Sequence, residues 1–407
     1  MAKILFVSDV HIGIRYSYRV NLRTGISDRT MDFVEALARV VKYAIDEQID
    51  IFVICGDLYD RVTIGQTLLQ KVRERIWQPL LAHKIPIVLV GGNHDSPQII
   101  EKGSPIGEVE IIPSSYAVRW PQTQKVKARN TGEEIGFVLL PYMTATQAVV
   151  YAEEQVGEEI DRNQYMIRSQ QLFRDWIKHE VDQLDTNVKF IVGHFYVEGS
   201  KIGIIPYPDQ LPHEFKFKED MLSLEQVDLA VFGHIHTAQI RGKLLVPGSL
   251  ERVDFGEVKE DKGFYVYDTK TKKIDFFSNN PRTLIREYIE VPKETQNPTD
   301  FIQKRLPQNI EQAIVRIEIE IPSFLQKRII LPRIHQVLDK KAFHYEINWH
   351  TSEAIKEIVL PDLILDPLVL FSEFVSEQYS DYPYLKELRD KGLEILDAAI
   401  SQVEEFK

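Results

Sequence analysis

Residues 1–282 carry five short apolar runs, each closed by turn residues: Ile4 to Ser8, Ile51 to Cys55, Ile85 to Val90, Val188 to Gly193 and Leu229 to Gly233. Continuous apolar runs of this length, bounded by turns, predict buried strands. Between the first two, apolar residues at 33, 34, 37, 41 and 45 keep a helical period and predict a helix over Met31 to Ile45. Thr67 to Leu81 predicts another. Strands alternating with helices point to an α/β layer architecture with functional side chains at the carboxyl ends of the strands.

The texture then changes. Leu244 to Val246, Gly263 to Tyr267 and Ile274 to Phe277 are short strands separated by turns, which predicts a second sheet. Glu290 to Thr299, with two prolines, reads as a linker. Ile314 to Ile321 alternates apolar with charged residues and predicts a half-buried strand, followed by a helix (Leu331 to Lys340) and a strand (Phe343 to Trp349). Together they predict a small α+β domain over 283–355. Asp366-Pro367 supplies an N-cap and a first-turn proline for a helix from Leu368 to Gln378 that carries Phe371. Beyond a break, Leu385, Leu388, Ile395, Leu396, Ala399, Val403 and Phe406 form an apolar stripe at helical spacing, suited to packing on this chain or to a partner's groove. The chain thus divides into 1–282, 283–355 and 356–407. Segments 96–135 and 198–212 show no clear period.

At 407 residues the chain exceeds the roughly 250–300 at which one core stops growing, in agreement with that division. No apolar stretch approaches the roughly 20 residues that span a bilayer, and the start shows no signal-peptide pattern, so no membrane segment is expected. The single cysteine, Cys55, lies in an apolar run; a disulfide-free, cytoplasmic protein is the expectation. The net charge of −12 works against an extended phosphate-binding surface, although cations bound by carboxylates would offset it locally. Between Glu373 and Lys407 nine acidic residues face four basic ones, so this end is not suited to nucleic acid.

The residues that close each run carry the chemistry. The first run leads into Asp9-Val10-His11, the second into Gly56-Asp57, the third into Gly91-Gly92-Asn93-His94-Asp95, the fourth into His194 and the fifth into His234-Ile235-His236. Residues two apart on an extended backbone share a side, so Asp9 with His11, and His234 with His236, are predicted as pairs. Asp9, His11, Asp57, Asn93, His194, His234 and His236 make seven oxygen and nitrogen donors without a thiolate. That set is too rich for one tetrahedral site and suits two cations sharing a carboxylate, with Asp57 as the natural bridge. Mixed imidazole and carboxylate ligation favours Mn²⁺, Fe²⁺ or Zn²⁺. Two such ions bind a phosphoester and activate water. His94, surplus to the donor count, is placed to serve the leaving oxygen. Asp95 either orients that imidazole or caps the turn.

These five blocks resemble those of the calcineurin-like metallophosphoesterase superfamily. The resemblance implies a four-layer α/β/β/α sandwich with a dinuclear centre. One metal would be held by Asp9, His11, Asp57 and His236, the other by Asp57, Asn93, His194 and His234. Gly56-Asp57-Leu58-Tyr59-Asp60-Arg61, Leu140-Pro141-Tyr142 and Pro247-Gly248-Ser249-Leu250-Glu251-Arg252, with Asp254-Phe255-Gly256 after it, are further similar to the SbcD-type exonucleases of double-strand-break repair. That likeness implies a Mn²⁺-dependent homodimeric DNA nuclease, 3′→5′ on duplex ends and endonucleolytic on single strands. It also implies a capping domain that grips DNA, and C-terminal helices (Leu368, Phe371, Leu385, Leu388, Ile395, Ala399, Val403) docking an SbcC-type coiled-coil ABC ATPase. Asp60 stands where archaeal and eukaryotic relatives carry histidine. The alternatives are a phosphodiesterase for a small phosphoester and a non-catalytic subunit that tethers DNA ends.

Overall fold

In the computed structural model, which describes residues 1–95, 104–156, 165–201, 215–352, 367–378 and 384–405, the five apolar runs become inner strands of two six-stranded sheets. The first sheet is ordered β12 (Lys273–Ser278), β11 (Gly263–Asp268), β1 (Lys3–Val7), β2 (Ile51–Ile54), β3 (Ile87–Val90) and β4 (Ser115–Val118). The second is ordered β5 (Gln122–Lys127), β6 (Glu134–Leu140), β7 (Val188–His194), β8 (Leu229–Gly233), β10 (Leu244–Val246) and β9 (Gln239–Arg241). Strands β1 to β4 are parallel to one another, as are β6, β7, β8 and β10. This corrects the expectation that residues 244–277 form a sheet of their own. β11 and β12 extend the first sheet antiparallel to β1, with Ile4 opposite Tyr267, while β10 extends the second beside β8.

Alternation within each strand divides the apolar residues between three cores. Ile4, Phe6, Ile51 and Val53 face the second sheet and meet Phe137, Phe190 and Val231 between the layers. There Phe6, Phe137 and Tyr267 surround Phe190 with ring centroids 5.3–5.6 Å away. Each buried Phe contributes about 1.5–3 kcal/mol. Leu5, Val7, Phe52 and Ile54 face outward beneath helix α1 (Asp28–Asp46), capped by Ser27, whose hydroxyl accepts the Arg29 N–H. The same core takes α2 (Gln66–Val72) and α3 (Gln78–Ala82), joined by a π-helical turn over Arg73–Trp77 that ends just before Pro79, which lacks an N–H, in the first turn of α3. The short α4 (Gly107–Glu110) precedes β4. On the opposite side α5 (Ala145–Val156) and α6 (Tyr165–Gln183), through Ala148, Phe173, Ile177 and Val181, cover Val138, Ile191 and Phe232. The architecture is a four-layer α/β/β/α sandwich.

A smaller sheet, β13 (Leu284–Glu290), β14 (Ile314–Pro322) and β15 (His344–Ser352), carries its own core with α7 (Pro298–Gln303), α8 (Ser323–Gln326) and α9 (Leu331–Asp339). β13 and β14 are parallel, so the segment read as a linker begins the crossover between them. This layer joins the sandwich within one compact unit, residues 1–351. At their seam Leu284, Ile314 and Phe343 pack on Tyr18, Phe255 and Val258. Arg282 lies 3.7 Å from the Phe343 ring centroid and forms a paired contact with Asp32 at 2.5 and 2.7 Å.

Residues 352–407 form a second unit containing α10 (Pro367–Gln378) and α11 (Leu385–Glu405). A Cβ at Gly392 would collide with the Phe371 ring, so these helices approach closely there. Leu368 and Leu385 are half-buried, Leu388 and Ile395 exposed; Phe371 packs inside the hairpin rather than on its open face. Ala399 and Val403 lie on α11, their side chains outside the described residues, and Phe406 lies outside them altogether. Among the described residues no helix is long and apolar enough to cross a membrane.

Candidate metal centre

Strands β1 and β2 end side by side, and the turns beyond them are tied by backbone hydrogen bonds from Asp9 N to the Gly56 carbonyl (3.2 Å) and from His11 N to the Asp57 carbonyl (3.0 Å). Asp9, His11, Asp57 and His234 all take positive φ (48°, 53°, 48° and 91°). That conformation costs a non-glycine residue about 1–3 kcal/mol and persists where surrounding structure enforces it. Two glycines make room for it. A Cβ at Gly56 would collide with the His194 imidazole, and one at Gly92 with the Asp57 carboxylate.

All seven donors converge on one place. His194 Nε2 lies 3.1 Å from Asp57 Oδ2 and 3.0 Å from Asn93 Oδ1; His234 Nδ1 lies 3.0 Å from the same Asn93 oxygen. His11 Nε2 and His236 Nε2 are 3.0 Å apart. Asp9 accepts the His234 backbone N–H at 3.1 and 3.2 Å. Three triads have donor atoms close enough to share an ion: Asp9, His11 and His236; His11, Asp57 and His94; Asp9, Asp57 and His194. Donors at neighbouring positions around a cation about 2.1 Å away lie about 3 Å from each other, which is the spacing found. Tautomers agree: His194 Nδ1 faces the Cys55 carbonyl at 2.8 Å and His236 Nδ1 faces Glu257 at 2.7 Å, which turns both Nε2 atoms inward. His11 Nδ1, buried, has no hydrogen-bond partner among the described residues. The residues fit a divalent metal site.

Electrostatics point the same way. Burial disfavours charge on Asp57, yet the His194 imidazole beside it holds its carboxyl well below the usual range. Burial likewise opposes charge on His194, but Asp57 and Asp9 push its pKa up to about 10. His11 goes the other way, to about 3, through burial and the neighbouring His236. An ion would replace the proton that His194 otherwise holds.

Beside these buried groups His94 stands out, its side chain 42% exposed. Its backbone N–H donates to Asp57 Oδ1 (2.9 Å), its Nδ1 meets the Asp60 carbonyl (3.0 Å), and Nε2 lies 4.0 Å from Asp57 Oδ2. Asp95 does not orient this ring. Its carboxylate accepts backbone N–H groups of Gly92 (2.7 Å) and Tyr59 (3.2 Å), which is the turn-capping arrangement; burial and the nearby Asp57 push its pKa up to about 7.

The calcineurin-like phosphoesterase family matches residues 2–238, which span both sheets through β8 and every one of these donors. The chain belongs to that family. This phosphoesterase is 25% identical over 272 residues to the D subunit of nuclease SbcCD from Staphylococcus epidermidis (64% of this chain, 65% of the relative). It is 26% identical over 275 residues to the Bacillus subtilis protein of the same name, covering 66% of each. To the DNA double-strand break repair protein Mre11 of Thermoplasma acidophilum it is 25% identical over 198 residues, 46% of this chain and 50% of that one. The match thus spans just under two thirds of the staphylococcal and Bacillus nuclease proteins.

Three groups around the phosphoesterase centre escaped the sequence reading. The carbonyls of Cys55 and Asp60 are backbone atoms, invisible to side-chain patterns. Glu257, 21 residues beyond His236, sits just past the Asp254-Phe255-Gly256 turn and bonds His236 Nδ1. Burial would raise its pKa, but His236 and Lys262 (3.2 Å away and fully buried) bring it to about 2. Glu257→Ala is expected to weaken Mn²⁺ binding by about 10–100-fold, because the imidazole loses the group that fixes its tautomer. Metal titration of the purified variant checks this, and wild-type affinity would refute it.

Proposed function

We propose that the protein is a Mn²⁺-dependent DNA nuclease that hydrolyses phosphodiester bonds, 3′→5′ on duplex ends and endonucleolytically on single strands. In this reading it acts in the cytoplasm as a homodimer, with an SbcC-type coiled-coil ABC ATPase docked on α10 and α11. The observation that carries hydrolysis is the convergence of seven donors from five strand ends beside one open-edged imidazole, His94. The names of the relatives support DNA as substrate. Two bound cations would supply charge neutralisation for the phosphate and a water nucleophile at neutral pH. The protein's share lies in placement. Asp57 is pinned through its Oδ1 by the His94 N–H, so the two groups move together. His94 donates Nδ1–H to the Asp60 carbonyl, and in its imidazolium form it gives the Nε2 proton to the leaving oxygen as the P–O bond breaks, ending as neutral imidazole.

The decisive assay gives the Mn²⁺-loaded protein a labelled duplex, a single-stranded circle and bis(p-nitrophenyl) phosphate. DNA cleavage with Mn²⁺ is the expected result. Intact DNA beside rapid turnover of the small ester would replace the nuclease with a small-phosphoester phosphodiesterase. Deleting residues 366–407 should abolish co-purification with a coiled-coil ATPase while Mn²⁺ binding survives; retained association would remove the docking role of α10 and α11.

A further inference from the structure

One cavity stands apart from the donor cluster. It has a volume of about 440 Å³ and lies between the loop after His11 and the start of α2. That size suits a small organic ligand. Its wall combines two cations, Arg15 and Arg61, with Tyr16, Thr67 and the apolar Ile64 and Leu68, and includes no carboxylate. On a chain of net charge −12, this concavity keeps one guanidinium, Arg15, without a counter-charge, while Arg61 is paired with Asp60 just outside the wall. Arg15 is exposed, and Arg61 Nε is buried without a hydrogen-bond partner among the described residues. The other end of Arg61 is held by Asp60 at 2.5 Å. The same Asp60 offers its carbonyl to His94 Nδ1, and its Oδ1 lies 3.9 Å from His11 Nδ1. Asp60 thus links the lining Arg61 to the metal centre, although it is not itself part of the cavity wall.

We infer that this cavity is a subsite for one nucleotide unit, with its phosphate on Arg15 and Arg61 and its sugar and base against Tyr16, Ile64 and Leu68. The inference rests on the phosphodiesterase reading above and specifies its substrate. Guanidiniums bind phosphate oxygens through paired, charge-assisted hydrogen bonds, and an aromatic and aliphatic wall takes the flat apolar face of a base. The unit is either the nucleotide flanking the scissile bond in a strand or a free mononucleotide.

The test uses the full-length Mn²⁺-loaded protein with Arg15→Ala, which removes a cation away from the metal donors, and Thr67→Trp, which fills the space and leaves both guanidiniums. Efficiency on a short labelled oligonucleotide is divided by that on bis(p-nitrophenyl) phosphate, and binding of thymidine 5′-monophosphate is titrated separately. The ratio is expected to fall about tenfold in each variant, through KM, because a charge-assisted phosphate contact is lost or blocked. Weakened mononucleotide binding as well would show that the free nucleotide also occupies the subsite; a fall in the ratio alone would assign it to the flanking nucleotide of a strand. A ratio and a mononucleotide affinity unmoved in both variants would overturn the inference. If the wild type leaves the oligonucleotide intact, the nuclease reading fails by itself. The subsite then stands if both variants weaken mononucleotide binding, and falls if they do not.

Discussion

Asp57→Asn is expected to remove Mn²⁺ binding and turnover together, with activity falling roughly 10³-fold or more. Asp57 belongs to two of the three triads, as do Asp9 and His11, and its Oδ2 lies 3.1 Å from His194 Nε2 and 4.0 Å from both His11 Nε2 and His94 Nε2, which places it between the donors. An asparagine keeps the oxygen that accepts the His94 N–H but has no charge to offer two cations. A second consequence appears without metal. His194 is raised to about 10 by Asp57, against burial; a group raised in the folded state stabilises it below its unfolded value near 6.5, and that contribution is lost as pH rises through about 10. Removing the carboxylate takes away the larger of the two charges that hold the His194 proton against burial, Asp9 being the other, and so destabilises the fold where His194 is protonated. The stripped variant should therefore melt below the stripped wild type at pH 6, and the gap should narrow above pH 10. Mn²⁺ titration and paired melts at the two pH values check both claims. Wild-type metal affinity in the variant would remove Asp57 from the centre.

That Asp57 can be singled out from sequence has a physical reason. Each donor follows directly on a buried strand, so a local apolar pattern fixes where the turn comes, and parallel strands bring their carboxyl ends to one edge. Sheet membership is another matter. β11 pairs with β1 across more than 250 residues, and no local pattern encodes a partner that distant. β5 (Gln122–Lys127) gives no such pattern because it is an edge strand, polar and largely solvent-facing, with only Val126 fully buried. Helix α6 does carry a stripe, Phe173, Ile177 and Val181, and was legible in principle. At the site itself side chains were readable and their supports were not. The Asp60 and Cys55 carbonyls belong to the fold rather than to residue type, and Glu257 reaches His236 only because the chain turns back at 254–257. Asp95 shows the same limit, since only the fold revealed that its oxygens close on Gly92 and Tyr59.

His94→Asn separates binding from cutting. On the proposed nuclease reading the variant should bind Mn²⁺ and DNA as the wild type does, while kcat falls by about 10²–10⁴-fold, the usual share of a positioned general acid. The backbone N–H that pins Asp57 belongs to residue 94 whatever its side chain, so the carboxylate keeps its orientation. The donors besides His94 are untouched: Asp9, His11 and His236 on one side, Asp57, Asn93, His194 and His234 on the other. The variant loses a partly exposed imidazole whose Nδ1 is held by the Asp60 carbonyl and whose Nε2 lies 4.0 Å from Asp57 Oδ2. An asparagine donates a hydrogen bond but cannot surrender a proton, so the loss should be largest for substrates whose leaving oxygen is an alkoxide. On bis(p-nitrophenyl) phosphate, whose nitrophenolate leaves without protonation, the same variant should lose far less. Equal losses on both esters would show that His94 serves the nucleophile's side or holds metal, as its place in a triad with His11 and Asp57 permits. A fall in Mn²⁺ affinity matching the fall in rate would identify the second of these.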